Sequence, residues 1–249
     1  MIPKIIHYCW FGRGAKSDLM QKCISSWKMF MPNYKIIEWN EDNVDFKANT
    51  YLEEAYELKK YAFMSDYVRL KVIYEYGGIY LDTDVELLKS LEPILKKGGF
   101  FSFEREQTIA TGLGFAAEAG DPIVKAMLQE YDHIHFSTKN GYDNTPCPVR
   151  NTAALKKNGL IVPSPENKVQ KIGNNYFYPQ EYFCPMNVDT GELVITTNTY
   201  SIHHYSYSWA DEYSKNVAKR KQKIYRIFPN FCAQTIFNIY NHICKFLNR

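Results

Sequence analysis

Residues 74–88, "YEYGGIYLDTDVELL", decide the fold. A helical pattern runs out at Gly77, and "GIYLDTD" behind the double glycine predicts a strand that stops on two aspartates. On a strand alternate side chains share a face, so Tyr80, Asp82 and Asp84 point one way while Ile79 and Leu81 point the other. Both acids then face the same space, at the carboxyl end of a strand, where ligands gather in α/β sheets. Residues two apart on a strand are separated by about 6.6 Å. Unless the chain bends sharply, one carboxylate alone is therefore expected as an inner ligand of a given ion. The other is left for ligand hydroxyls or a metal-bound water. Carboxylates together with water and phosphate oxygens suit Mg²⁺ or Mn²⁺. A solvated acidic turn is the plain alternative for a single D-x-D.

Upstream, Thr50 and Glu53 match a capping box opening one long helix, or two consecutive ones, that end at Gly77. With about 100° between successive residues, Ala62, Phe63, Arg69, Leu70 and Ile73 fall within about 60° of Asp66. Asp66 and Arg69 thus sit in an apolar stripe. Burying charge is costly unless it is paired or bound. An ion pair at i, i+3 meets that requirement, and the stripe could also border the D-x-D cleft.

Working outward, "PKIIHYCW" predicts a first strand closed by Gly12 and Gly14, with Trp10 at its carboxyl edge. Trp10 there suits stacking on a base or simple rim packing. Ser17 caps a helix to about Phe30, and "PNYKIIEWN" supplies a turn and a second strand. Beyond the D-x-D come a short helix around "SLEPILKK", a strand "GGFFSFE", a helix started by Asp121-Pro122, and a turn and short helix in "NTPCPVRNTAALKKNG". Alternating β and α elements predict an α/β protein, a mostly parallel sheet flanked by helices. "ITTNTYSIHHYSYSW" predicts one more strand ending in a polar loop. It carries His203, His204, Ser206, Ser208 and Trp209, whose imidazoles suit Mn²⁺-type ions and whose hydroxyls and indole N–H suit phosphate oxygens. Neighbouring histidines on a strand face opposite sides, so one of the two at most is expected to reach a given site.

The chain has 249 residues with 45% apolar content, enough for one large domain or one and a half. Six cysteines without a CxxC pair or zinc-type spacing read as reduced thiols of a cytosol. "MIPKIIHYCWFG" lacks the features of a secretory signal, and no apolar run of about 18 residues is present. Residues 215–249 hold eight Lys/Arg and no Asp or Glu, leaving 22 basic and 27 acidic groups in residues 1–214. A domain over 1–214 and a basic tail over 215–249 are expected. From Ile224 the tail repeats apolar residues every three or four positions, predicting an amphipathic helix that either docks on the domain or lies on an anionic membrane.

"IIHYCWFG", "SDYVRL", "GGIYLDTD" and "HHYSYSW", in this order over residues 5–209, resemble glycosyltransferase family 32 and, more distantly, the glucosyltransferase domain of the large clostridial toxins. The resemblance implies a GT-A fold and a metal-dependent, retaining transfer of a hexose from a nucleotide-sugar, a UDP-sugar, to a saccharide acceptor in bacterial surface-polysaccharide synthesis. It implies that Trp10 stacks on the base with backbone near Cys9 reading its edge, and that Asp66 and Arg69 hold the sugar and ribose side. It further implies that Tyr80 packs beside the nucleotide, that Asp82 contacts hydroxyls, and that Ser208 and Trp209 contact the diphosphate. Asp84 becomes the metal ligand, with Mn²⁺ or Mg²⁺ as cofactor. His204 stands where the toxins have a glutamate five residues before a tryptophan, so it becomes the second ligand. A lipid-linked acceptor, peripheral contact with the inner face of a bacterial membrane, a cytoplasmic location and no nucleic-acid partner complete the expectation. Two rivals remain. A haloacid-dehalogenase-type phosphatase also ends a strand in D-x-D, although Val85 and Glu86 stand where it usually has a small residue and a threonine. The other rival is a nucleotide-sugar or glycan binding module without turnover.

Overall fold

The computed structural model describes residues 1–139, 141–164, 167–208, 212–228 and 230–247. The chain divides into two compact units, Met1–Pro185 with Ile195–His204, and Met186–Val194 with Tyr205–Arg249. In the first, chain order is β1 (Ile5–Cys9), α1 (Asp18–Phe30), β2 (Lys35–Trp39), α2 (Thr50–Glu57), α3 (Tyr61–Tyr76), β3 (Gly78–Tyr80) and β4 (Val85–Leu87). Next come α4 (Glu92–Leu95), β5 (Gly99–Arg105), β6 (Thr108–Ile109), β7 (Phe115–Ala117), α5 (Pro122–Gln129), β8 (Ser137–Thr138) and β9 (Gly141–Tyr142). The unit ends with α6 (Cys147–Lys157), β10 (Gln170–Ile172), β11 (Asn175–Tyr178) and β12 (Ser201–His203).

The main sheet runs β10-β11-β5-β7-β3-β1-β2, with β6 paired to β5. Strands β2, β1 and β3 are parallel; β7 is antiparallel to both β3 and β5, and β11 is parallel to β5. Five of the eight strands therefore share one direction, giving the mostly parallel sheet the sequence predicts. Alternation sorts the core into two layers. Tyr80, Phe101, Phe115 and Phe177 pack with α2, α3, α5 and α6 on one face, and Ile6, Ile79, Leu81 and Phe100 pack with Trp27 and Met31 at α1 and Ile94 of α4 on the other.

The helix ends carry their own chemistry. Ser17 accepts from Met20 N–H as expected, but the cap of α2 is Asn49, which accepts from Leu52 N–H. Thr50 is the first helical residue, and with Leu52 at the third helical position the expected Thr50–Glu53 capping box does not form. Two helices rather than one lead to Gly77, because the chain turns at Lys59, whose φ is +54°. Gly77 and Gly78 both have positive φ, and a Cβ on Gly78 would stand 2.7 Å from the carbonyl oxygen of Ile5. That double glycine lets α3 end and β3 enter directly between β1 and β7.

Strand β3 is shorter than expected. It stops at Tyr80, and Val85 N–H donates to Asp82 C=O at 3.0 Å, turning the chain. The residues after the turn form β4, which pairs antiparallel with β12 so that Val85 faces His203 and Leu87 faces Ser201.

The second unit holds α7 (Glu212–Ile227) and α8 (Asn230–Leu247). Lys221 pairs with Asp189 at 2.7 Å, and Arg226 Nε donates to Thr190 C=O at 2.5 Å, so segment 186–194 belongs with these helices. The division accordingly falls after His204, not at the 214/215 boundary expected from charge. The expected single helix from Ile224 is two helices beginning earlier, and the sequence has Pro229, which cannot donate a backbone hydrogen bond, between them. Among the described residues no helix is long and apolar enough to cross a membrane.

Candidate active site

Arg69 organises the site from α3. Its Nη1 lies 3.0 Å from Asp66 Oδ1, one helical turn back, and its Nη2 lies 3.2 Å from Asp82 Oδ1 beyond β3. The guanidinium is 6% exposed, so this is a buried carboxylate–guanidinium–carboxylate chain. Two carboxylates around one fork keep Arg69 charged despite its burial, holding its pKa well above the usual arginine value. Burial pushes Asp66 up to about 6, against the pull of Arg69. Burial also raises Asp82, opposed by Arg69 and reinforced by the negative Asp84. The tyrosyl O–H of Tyr80 donates to Asp82 Oδ1 at 2.8 Å. Tyr80 is itself fully buried in the core layer below, so it supports Asp82 and has no free face for a nucleotide.

The turn after Asp82 changes the spacing expected from an extended strand. One ligand atom each from Asp82, Asp84 and His203 lies within 4.8 Å of the other two. Both carboxylates therefore converge, because the chain bends where a straight strand would hold them apart. His203 Nε2 lies 3.2 Å from Asp84 Oδ1. Burial lowers the pKa of His203, but the charge of Asp84 and its hydrogen bond outweigh this, and the net direction is up. Two carboxylates and an imidazole fit Mn²⁺ well, and Mg²⁺ through the oxygens.

His204, the ligand expected by motif position, is elsewhere. Its Nε2 contacts Glu86 Oε2 at 2.8 Å, and Glu86 is also bound by Lys22 at 2.8 Å. The reason is alternation along extended backbone: one residue past the end of β12 the ring faces the other side. The histidine at the acids is His203.

Trp10 is half-buried at the end of β1, its indole N–H donating to Gly14 C=O at 2.7 Å and the Lys16 ammonium 5.4 Å above its ring. Its backbone N–H is spent on Trp39 C=O. Cys9 is buried, and burial pushes its thiol up to about 12, leaving it protonated. Ser208 is exposed and lies in the second unit, while Trp209 falls outside the described residues.

Sequence reading missed the loop over Asp82. A Cβ on Gly112 would stand 2.5 Å from Asp82 Oδ2. Beside it, Arg69 Nη1 lies 3.4 Å from Cys147 Sγ at the start of α6, and Asn151 Nδ2 donates to Thr111 Oγ1 at 3.0 Å. The one available signal was "TGLG" at 111–114, a glycine-bearing turn where a backbone must approach another group closely.

Residues 17–101 match the family model described as "Glycosyltransferase sugar-binding region containing DXD motif". An inositol phosphoceramide mannosyltransferase of Schizosaccharomyces pombe is 32% identical over 144 residues, covering 55% of this chain and 39% of that protein. The chain thus spans about two fifths of that relative's length. An uncharacterized glycosyltransferase of Acanthamoeba polyphaga mimivirus is 26% identical over 224 residues, 84% of each chain. Among solved structures, the PaToxG glycosyltransferase is similar at 21% identity and a TM-score of 0.48, covering 63% of this chain and 69% of its own. The family model and the named relatives support the glycosyltransferase resemblance carried by Asp82 and Asp84.

Proposed function

We propose that this chain, which carries the DXD-containing sugar-binding region of glycosyltransferases over residues 17–101, transfers a hexose from a nucleotide-sugar to a saccharide acceptor with retention of configuration. The observation that carries the reading is the convergence of Asp82, Asp84 and His203 beside the buried Asp66–Arg69 pair. Asp84, His203 and Asp82 would hold a divalent ion, Mn²⁺ or Mg²⁺, whose charge would offset the negative charge of the donor diphosphate. Asp66 and Arg69, fixed by each other and by Asp82, are the proposed contacts to the hydroxyls of donor sugar and ribose. Trp10, polarised on one face by Lys16, would take the base, with backbone near Cys9 beside it. Ser208 and Trp209 are proposed diphosphate contacts on sequence grounds alone.

Among the described site residues Asp66 and Asp82 are both bound to Arg69 and Asp84 faces His203, so none stands out as a covalent nucleophile. The proposed course is therefore same-face transfer, in which a leaving phosphate oxygen takes the acceptor proton. The donor proposed is a UDP-sugar; the mannosyltransferase name of the S. pombe relative favours a mannosyl donor as the second reading. The acceptor is proposed to be lipid-linked at a bacterial membrane's inner face. The eight basic residues of the tail and the exposed Ile227, Phe228, Ile239 and Tyr240 support that contact.

A melting-temperature panel of UDP- and GDP-sugars with Mn²⁺, followed by donor hydrolysis with and without Asp84→Ala, tests the reading. Stabilisation and turnover by one nucleotide-sugar, both lost in the variant, are expected. Phosphate release from simple esters would move the protein to the phosphatases, and binding without turnover to the binding modules.

A further inference from the structure

At the β10–β11 edge of the sheet lies a cavity of about 320 Å³ lined by Lys97, Lys171, Tyr176, Tyr178, Tyr182 and Tyr200 among others. Strand β11 stands three positions from β3 in the sheet, roughly 14 Å at the usual strand spacing, and shares no lining residue with the D-x-D centre. The volume is that of a pocket for a small ligand, at the lower end of the usual ~300–1,000 Å³.

Three features of its wall point to one ligand chemistry. The aromatic surface is continuous: Tyr178 and Tyr182 have ring centroids 5.0 Å apart, and Tyr182 and Tyr200 lie parallel within 7° at 6.4 Å. Flat tyrosine faces suit the apolar C–H face of a pyranose, with hydroxyls left for polar groups at the rim. The charge has one sign. Lys97 and Lys171 have no ion-pair partner among the described residues, no carboxylate occurs among the described lining residues, and Lys171 sits 5.2 Å over the Tyr176 ring. The third feature is Tyr178. It is 3% exposed, its hydroxyl has no hydrogen-bond partner among the described residues, and burial pushes its pKa up to about 12, so it keeps a proton to donate. A buried hydroxyl without a partner is unfavourable by about 1–3 kcal/mol, and a ligand oxygen would relieve it.

We propose that this cavity binds a pyranose bearing one anionic substituent, phosphate or carboxylate, independently of the D-x-D centre. The rings take the sugar face, Lys97 and Lys171 take the charge, and Tyr178 donates to a ligand oxygen. The proposal does not depend on the transferase reading.

Titration calorimetry of the full chain in EDTA tests it, with glucose 6-phosphate, methyl glucuronide, inorganic phosphate and methyl glucoside as probes. Saturable binding of one or both anionic sugars is expected, at least tenfold tighter than phosphate alone or the neutral glycoside, and the preferred sugar identifies the substituent. Both lysines are exposed, so Lys97→Ala/Lys171→Ala should fold normally and weaken binding at least tenfold. Tyr178→Phe should weaken it severalfold, while Asp84→Ala should leave it unchanged. No saturable binding of either anionic sugar, equal affinity for phosphate or the neutral glycoside, wild-type affinity in the double variant, or loss of binding in Asp84→Ala would each overturn the proposal.

Discussion

His203 meets Asp84 at 3.2 Å while its neighbour His204 meets Glu86 at 2.8 Å. The last residue of β12 and the one after it thus meet two acids, Asp84 of the turn before β4 and Glu86 of β4 itself. His203→Ala should weaken Mn²⁺ binding at least tenfold by calorimetry, and His204→Ala should stay within about twofold. The reverse ranking would return the ligand role to His204.

Arg69 is the charge that two buried acids share. Arg69→Met would leave Asp66 and Asp82 buried without a cation, and a loss of about 3–5 kcal/mol in urea unfolding is expected. Arg69→Lys should recover part of the stability and little of the activity, since an ammonium cannot span both carboxylates as the planar fork does.

Gly112 and Gly114 separate function from fold within one turn. Gly112 has room for its own backbone but none for a Cβ, which would press on Asp82 Oδ2 at 2.5 Å. Gly112→Ala should therefore displace the Asp82 carboxylate and cut donor hydrolysis at least tenfold, with stability changed by about 1 kcal/mol or less. Gly114 has φ +106°, and a Cβ there would meet Leu81 in the core at 2.7 Å. Gly114→Ala should lose stability first.

His7 makes stability depend on acidity away from the site. Trp39 N–H donates to its Nδ1 at 3.0 Å, so Nε2 holds the proton and donates to Gly77 C=O at 2.9 Å. Burial lowers its pKa from 6.5 to about 4. The unfolded chain therefore takes up a proton near pH 6.5 that the folded chain refuses until about pH 4. The contribution is whole above that window and is withdrawn as pH falls through it, by about 3 kcal/mol. His7→Gln should flatten the pH dependence of the urea midpoint between pH 6.5 and 4. An unchanged slope would exclude His7 as its source.

The parts of the fold that periodicity governs were legible in advance. Alternation placed Tyr80 and Asp82 on one face and Ile79 and Leu81 on the other, and the wheel over α3 put Asp66 and Arg69 together. Turns were less legible. The bend at Asp82–Val85 follows from the pairing of β4 with β12, a contact between segments far apart in sequence that no local pattern encodes. The same pairing brings His203 rather than His204 to Asp84, where motif alignment alone pointed to His204. Gly112 was missed because its role is to leave a volume empty beside a carboxylate, and emptiness has no periodicity. Charge composition found the separate tail but not the first unit's edge, because segment 186–194 joins the helices through an ion pair and hydrogen bonds between residues distant along the chain.

The ribbon of β4 and β12 also sets an order of assembly. Strands β1, β3 and β7 and helix α3 are neighbours encoded before residue 118, so a growing chain carries Asp66, Arg69, Asp82 and Asp84 well before His203 is made. On emerging, β12 then pairs with β4 and brings His203 to Asp84. On the proposed reading, a product that ends before β12 would lack the imidazole and should bind Mn²⁺ more weakly than the full chain.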